Sequence, residues 1–462
     1  MNKKNDDDDL NRLRFEIRDI TVDIIHKVQK RMEISKQIGE IKTKNNIDVE
    51  DEKVESDLKN SALKIADEIG MNSEFSGRLL NILLTESVRL QNIQQNDSEQ
   101  RQTHLSIFMK AKQLQSMGKN IIHLEVGEPD YLPPKNVKKT LSRIYDLRQY
   151  HYTETRGIPK LRQAIAKKVG NGIIDEQVIV TPGGRFAVFS AIVSLVKSGD
   201  EVIYIEPAWP AYRECADFIG AKTKILKTTL KEKWNPDLKR LEELINNNTK
   251  MIILNYPNNP TGKILNDNAM QRIMDLAKDY GLYVLSDEVY SNYSFNGFKS
   301  ILEYGYDKSI MISSFSKGHA MTGFRVGYGI SNKKIISKMS TIQAVALTSV
   351  AEPMQYSALA AINDDSLNEN VKIMRRRLGF VCGKLEKMSL SFVAPDGALY
   401  VYPQLREGMD DDIVLINKLL DLGVAIAPGS GFGESYKRFI RISACQTEEV
   451  LEKGLDVLSS AL

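Results

Sequence analysis

Residues 313–325 read SSFSKGHAMTGFR. Lys317 stands three residues after Ser314 and eight before Arg325, in a run of small residues that lets an anion approach the backbone. Lysine is the side chain that condenses with an aldehyde, while a serine hydroxyl and an arginine fork suit a phosphate. The combination fits a lysine that carries pyridoxal phosphate, with Lys317 as the Schiff-base residue and Ser314 and Arg325 at the phosphate. An isolated S-x-x-K is more often a solvated surface lysine, so its partners elsewhere in the chain decide the matter.

Those partners lie in loops that end predicted strands. Apolar, β-rich runs at 178–181, 201–205, 251–255, 283–286 and 310–313 alternate with helical patterns, and this alternation predicts a parallel sheet covered on both faces. TPGGR (181–185), NYPNNPTG (255–262), SDEVY (286–290) and SSFSK (313–317) each end or follow such a run. In sheets of this kind ligands bind beyond the carboxyl ends of the strands.

The first ninety residues have a different character. Leu10, Leu13, Ile17, Ile20, Ile24, Val28, Ile34, Ile38 and Ile41 recur at three- and four-residue steps, which predicts one long amphipathic helix. The acids at 6–9 sit favourably near its amino end. Helical patterns follow at 53–69 and 74–91, with Gly70 as a stop between them and no proline in the whole stretch. The polar run QNIQQNDSEQRQ (91–102) closes it as a linker. The expected organisation is an all-α helical unit over 1–95, a linker at 96–102 and an α/β unit over 103–462. Within the last, a large domain spans roughly 150–345 and a small domain combines 103–149 with 346–462.

Composition narrows the function classes. With 462 residues and 42% hydrophobic content the chain can bury more than one core. It carries no apolar stretch of membrane-spanning length and no signal-like leader, so a cytoplasmic enzyme is expected. The net charge of +3 hides an acidic first segment, with 21 acids against 16 bases in residues 1–99. No basic run is interleaved with aromatics, which argues against nucleic acid as a partner. Cys215, Cys382 and Cys445 are scattered, odd in number and without metal-ligand spacing, so neither a disulfide framework nor a metal site is expected.

Six segments, LEVGEPD (124–130), YTETRGIPKLR (152–162), TPGGR, PNNPTG, SDEVY and SSFSKGHAMTGFRVGY (313–328), occur in the order found in the aspartate-aminotransferase-like branch of fold type I pyridoxal phosphate enzymes, and from about residue 103 onward the chain resembles that family. The resemblance implies that Asp287 pairs with the pyridine nitrogen, that Tyr290 and Asn259 bond the ring hydroxyl oxygen, and that Trp209 of EPAWPAY stacks on the ring. It gives the phosphate to the amides of Gly184 and Arg185, to Ser314, Arg325 and Tyr152, the last from the other subunit of a dimer. Arg441 of FIRISA, with the amide of Gly127, would take the substrate α-carboxylate. Lys317 would carry the proton between the α-carbon and the cofactor. Many relatives have lysine where Arg185 stands, and the arginine fork suits a distal substrate carboxylate of aspartate, glutamate or prephenate.

On the long helix Arg31 and Lys42 lie eleven residues apart, on one face and about 16 Å from each other along the axis. Arg14 lies about 25 Å further from Arg31, too far to share a small ligand with Lys42 on one straight helix. With LRFEIRDI (13–20), KRMEISKQIGEIK (30–42), DEKVES (51–56) and ESVRLQ (86–91), the first unit resembles the all-helical chorismate mutases. That resemblance places Arg31, Lys42, Asp51, Glu55, Ser87, Gln91 and the partner subunit's Arg14 around chorismate, with Lys42 and Gln91 at the ether oxygen. One arginine common in the family is Val54 here.

The expectation is therefore a bifunctional enzyme of aromatic amino-acid biosynthesis, a homodimer or larger homo-oligomer. It would convert chorismate to prephenate and transaminate prephenate or an aromatic keto acid with glutamate or aspartate as donor. The alternative is an aspartate aminotransferase whose helical unit serves only dimerisation or regulation. A carbon-sulfur lyase on the same fold and a ligand sensor are further rivals, the last disfavoured because the leading unit is acidic.

Overall fold

A computed structural model describes residues 3–44, 52–72, 75–77, 79–80, 82–84, 86–87, 104–409 and 411–462. The chain divides into two units, 1–101 and 102–462.

The first unit is helical. Helix α1 (Lys3–Lys44) runs 42 residues without interruption, which corresponds to about 63 Å. Helix α2 (Glu52–Glu68) follows and ends before Gly70, whose φ of +72° suits a residue without Cβ. The described residues between 75 and 87 are helical as well. Most of the apolar stripe of α1 is exposed in the single chain, from Ile38 at 40% to Ile17 at 66%.

The second unit is built on a seven-stranded sheet. Its strands are β1 (Val178–Thr181), β2 (Glu201–Glu206), β3 (Lys222–Lys227), β4 (Thr249–Asn255), β5 (Tyr283–Asp287), β6 (Ser309–Ser314) and β7 (Gly327–Ile330), in the spatial order β1-β7-β6-β5-β4-β2-β3. The expected runs at 178–181, 201–205, 251–255, 283–286 and 310–313 all lie within these strands. The sheet is mixed: β7 pairs antiparallel with both β1 and β6, and the other neighbouring strands pair parallel. Residues 315–326 contain only a three-residue helical turn, too little for the crossover helix that a parallel return usually uses. Two apolar layers cover the sheet, one around Ile203, Ile252 and Val284 and the other around Val202, Ile253 and Leu285. Neighbouring residues of one strand thus serve opposite faces.

A separate core packs helix α3 (His104–Ser116) with helix α7 (Ser366–Lys387) and the carboxyl-terminal segments, through Ile107, Ala111, Leu378, Val401 and Ile442. Here the short strands Tyr400–Val401, Ile440–Ser443 and Ala427–Pro428 form a three-stranded sheet, and Ile122–His123 pairs with Val424–Ala425. Trp234, Tyr402, Phe432, Tyr436 and Phe439 form an aromatic cluster.

Strand register determines what meets at one end of the large sheet. Asn255 pairs with Asp287, Asp287 with Ile312, and Gly327 with both Ser314 and Thr181. The strand-ending residues of TPGGR, NYPNNPTG, SDEVY and SSFSK therefore share one edge.

Glu288, next to that edge, is 1% exposed and accepts from Ser286 Oγ (3.0 Å) and from the Ile301 amide (2.8 Å). Burial pushes its carboxyl from an ordinary 4.5 up to about 7, against the pull of those hydrogen bonds. The folded state then holds a proton that the unfolded chain releases, so the associated stability is present below about pH 4.5 and lost as pH rises through about 7. Glu288→Gln keeps the acceptor oxygen and removes the charge. In thermal or denaturant unfolding of cofactor-free protein it should gain on the order of 3 kcal/mol over wild type at pH 8 and almost nothing at pH 4; an equal gain at both pH values would refute this account.

Candidate active sites

A cavity of about 370 Å³ opens at the shared strand edge. Gly127, Gly184, Arg185, Trp209, Asn259 and Asp287 line it, together with Tyr290, Ser314, Lys317, Arg325 and Arg441. Of the residues singled out in this unit, Tyr152 alone is elsewhere: it is 90% exposed and outside the cavity of its own chain. The motifs are up to 314 residues apart along the chain, from Gly127 to Arg441, yet converge on one volume.

Lys317 follows β6 by three residues, and its Nζ donates to Gly127 O at 2.5 Å. The Tyr293 hydroxyl holds the Lys317 carbonyl (3.0 Å) and also contacts the hydroxyl of Tyr131. The GEPD loop facing the lysine is anchored by Asp130, whose carboxylate takes a forked pair of bonds from Arg377 at 2.6 and 3.0 Å. Gly127 has no room for a side chain, because a Cβ there would overlap the Tyr400 hydroxyl.

Asp287 ends β5 at the cavity floor and is 3% exposed. Burial pushes its carboxyl up to about 6, opposed by the hydrogen bond from Tyr212 Oη (2.7 Å), by the Val289 amide and by the Lys317 ammonium. Tyr212 is itself buried and its phenol is pushed well above the usual value by burial and by Asp287. Tyr290 donates to or accepts from Tyr400 at 2.9 Å, and its phenol is likewise raised by burial. A buried carboxylate pushed upward in this way gains most from a cationic N–H partner.

Another part of the wall is a cradle of backbone. Helix α4 (Gly184–Leu195) begins at the TPGGR turn, with Gly183 at φ +82° as its N-cap. A Cβ on Gly183 would meet the Arg325 guanidinium, and one on Gly327 would run into the backbone of Gly183 and Gly184. Ser314 ends β6 beside this turn, and Arg325, at φ +54°, donates to Thr322 O (2.9 Å). The first N–H groups of a helix, an arginine and a hydroxyl together make an anion site. A buried acid and this cradle line the same cavity and fit a ring nitrogen and a phosphate, so the residues present accept pyridoxal phosphate.

Arg441 lies on the strand Ile440–Ser443 and is 1% exposed. It donates to Asn259 Oδ1 at 2.8 Å and to Glu125 O, and sits 4.2 Å over Tyr400 and 4.9 Å over Phe432. Its Nε has no protein partner. Arg185 sits 4.5 Å over the Trp209 ring and 3.8 Å from Glu214, both at the cavity wall or beside it.

Sequence reasoning missed Tyr212, Tyr400 and the α3 residues Leu105 and Phe108, which also line the cavity. Tyr212 had a signal, since it stands one helical turn after Trp209 in EPAWPAY. Tyr400 had none, because only the tertiary fold brings it over Gly127.

In the helical unit, Arg31 Nη1 donates to Leu83 O at 2.6 Å and to Ser87 Oγ, and Ser35 Oγ lies 2.9 Å from Ser87 Oγ. Arg31 and Ser87 are thus adjacent, with Ser35 as a neighbour that the sequence did not announce. Partial burial lowers the Arg31 pKa from its ordinary value. Lys42 is half-buried and Arg14 is exposed, bonded to Asn11 one turn earlier. Asp51, Gln91 and the linker at 96–102 lie outside the described residues, as does the side chain of Glu55. Among the described residues no cluster suited to a metal ion occurs, and no helix is long and apolar enough to cross a membrane.

Residues 119–458 match the family model for aminotransferase class I and II, and residues 13–92 match that for chorismate mutase type II. An aspartate aminotransferase of Thermotoga maritima is 36% identical over 366 residues, spanning 78% of this chain and 96% of its own. An aspartate/prephenate aminotransferase of Thermus thermophilus is 30% identical over 368 residues, spanning 78% and 95%. The solved structure of Thermus thermophilus aspartate aminotransferase with maleate superposes with a TM-score of 0.75 at 29% identity, covering 78% of this chain and 96% of that one.

Gly327→Ala tests the cradle. The added methyl has only backbone to push against, so the variant should lose about 1–3 kcal/mol of stability or more. Its pyridoxal phosphate affinity, followed by absorbance, should fall as well. Normal unfolding and normal binding would show that the glycine contact is dispensable.

Proposed function

The chain belongs to the class I and II aminotransferases and carries a type II chorismate mutase segment ahead of that unit, and from this premise we propose that it makes prephenate from chorismate and transaminates prephenate or an aromatic keto acid. It is both an isomerase and a pyridoxal-phosphate-dependent transferase. The observation that carries the proposal is the covalent union of the two segments, because the product of the first reaction is itself a keto acid of the class that the second consumes. A relative at 30% identity named aspartate/prephenate aminotransferase supports the pairing. Glutamate or aspartate is the proposed donor.

Bound pyridoxal phosphate supplies a cationic ring that accepts the electrons left when a substrate α-proton departs. The chain's residues do the rest. Gly184 and Arg185 amides, Ser314 and Arg325 hold the phosphate, joined by Tyr152 from a second copy of the chain. Asp287 Oδ keeps a proton on the ring nitrogen, and its Tyr212 contact fixes the carboxylate's orientation. Tyr290 and Asn259 take the ring hydroxyl oxygen, and Trp209 covers one ring face. Arg441, assisted by the Gly127 amide, orients the substrate α-carboxylate. Lys317 Nζ would hold the cofactor aldehyde and, once displaced from it by the substrate amine, would act as the base that takes the proton from the substrate Cα. Arg185 is the proposed clamp for a distal carboxylate, released from its stack on Trp209 and its long contact with Glu214.

The mutase site would act without covalent chemistry. Arg31, Lys42, Ser87, Asp51, Glu55 and Gln91, with Arg14 of a second copy, hold the chorismate dianion in a compact reactive shape, and cations facing the ether oxygen stabilise charge as that bond breaks. The exposed apolar stripe of α1 supports self-association of this unit. The proposed state is a homodimer or larger homo-oligomer in the cytoplasm.

Three variants and a substrate profile test the proposal. Lys317→Ala should cut transaminase kcat by about 10²–10⁴-fold or more while leaving chorismate turnover intact. Arg31→Ala should abolish the absorbance decay of chorismate and spare transamination; no decay in wild type would leave the helical unit as a dimerisation module. Arg185→Ala should lose about 10–100-fold in kcat/KM for dicarboxylic substrates and prephenate relative to phenylpyruvate. A profile that ranks oxaloacetate far above every aromatic acceptor and prephenate would favour an ordinary aspartate aminotransferase.

A further inference from the structure

Tyr152 is 90% exposed and belongs to a segment, 149–158, without helix or strand. An exposed loop tip of this kind is ordinarily mobile. Here the backbone around it is fastened at close intervals. The His151 amide donates to Glu352 at 2.7 Å, the Ile158 amide to Gln355 Oε1 at 2.7 Å, and the Val180 amide to Arg156 O at 2.9 Å.

Two fully buried glutamines supply the other fastenings. Gln355, on helix α6 (Glu352–Ala361), is 0% exposed and spends both amide protons, on Thr153 Oγ1 (3.0 Å) and Val350 O (2.7 Å). Gln343, on helix α5 (Lys333–Leu347), is also 0% exposed and bonds Thr155 O (2.5 Å) and Val180 O (2.8 Å). Its own Oε1 has no protein partner, so the two carbonyl contacts must offset an unmet acceptor. Gly157, at φ +95°, lets the chain pass where a Cβ would meet Val180 and the Gln355 amide. Burying two amides beneath a loop whose residues 150–152 face solvent fixes the backbone from which Tyr152 projects.

We propose that Gln343 and Gln355 are positioning residues that lock residues 150–158 so that Tyr152 of one copy meets the phosphate end of the cavity in a second copy. The proposal rests on the assignment of Tyr152 in the proposed function. Because the loop is ordered beforehand, the tyrosine contact loses little freedom when cofactor binds. Neither glutamine touches the cofactor; both act through Tyr152.

The test is a double-mutant cycle on the full-length protein, read as the dissociation constant of pyridoxal phosphate from absorbance titration of cofactor-free enzyme, with sedimentation confirming an unchanged assembly. Tyr152→Phe should weaken binding about tenfold, and Gln355→Met about tenfold as well, but Gln355→Met should add less than about twofold when Tyr152 is already Phe. Thr153→Val, which removes only the hydroxyl that receives Gln355 Nε2, should follow the same pattern and carries the test should Gln355→Met fail to fold. Equal weakening by Gln355→Met in both backgrounds would mean a general structural role and overturn the proposal, as would normal affinity in both the Gln355 and Thr153 variants. Normal affinity in Tyr152→Phe alone would remove the assignment of Tyr152, and the inference with it.

Discussion

A carboxylate at 3% exposure on the floor of a cavity is the constraint around which the second unit is arranged. Taking Asp287 out of water is unfavourable by several kcal/mol unless hydrogen bonds and a cation compensate. The fold supplies the hydrogen bonds locally: Tyr212 and the Val289 amide at the carboxylate, and Asn255 Nδ2 at the Asp287 carbonyl (2.9 Å). The Lys317 ammonium adds its pull, and burial still leaves the carboxyl pushed up to about 6. Strand register then becomes functional. A one-residue slip between β4 and β5 would turn Asp287 away from the cavity and present its neighbours instead.

The two units solve opposite chemical problems with one vocabulary. The helical unit gathers cationic and hydroxyl donors along helix faces, as a rearrangement without covalent catalysis requires. The sheet unit gathers one reactive amine and surrounds it with groups whose protonation is held by burial. Tyr212, Tyr290 and Asp287 are all shifted upward mainly by loss of water, so the cavity keeps these groups in their neutral forms more readily than water would.

Much of this was legible in the chain itself. Strands reveal themselves as apolar runs and Lys317 by the residue types around it, while Asp287, Asn259 and Arg441 could be named before any coordinates through the family resemblance that six ordered segments carry. Arg31 and Ser87 were named through a second resemblance, carried by four segments of the helical unit. What escaped reading has a common cause, which is that its meaning lies in contacts between distant segments. Gly327 is one glycine among many until β7 turns antiparallel and lays it against Gly183 and Gly184. Tyr400 acquires a role only beside Gly127, and Gln343 and Gln355 only beneath a loop 188 and 202 residues earlier. Ser35 fits the helical pattern and says nothing about Ser87 until the chain folds back.

Arg441 shows how such a site sets its own limits. Its companions are an amide oxygen, a backbone carbonyl and two aromatic rings, none of them an anion, so the guanidinium carries an unneutralised charge into an almost dry interior. With Arg441 in its proposed place at the substrate α-carboxylate, a primary amine such as tyramine or putrescine would leave that charge uncompensated where an α-amino acid cancels it, so the proposed role carries with it a discrimination between amino acids and their decarboxylated counterparts.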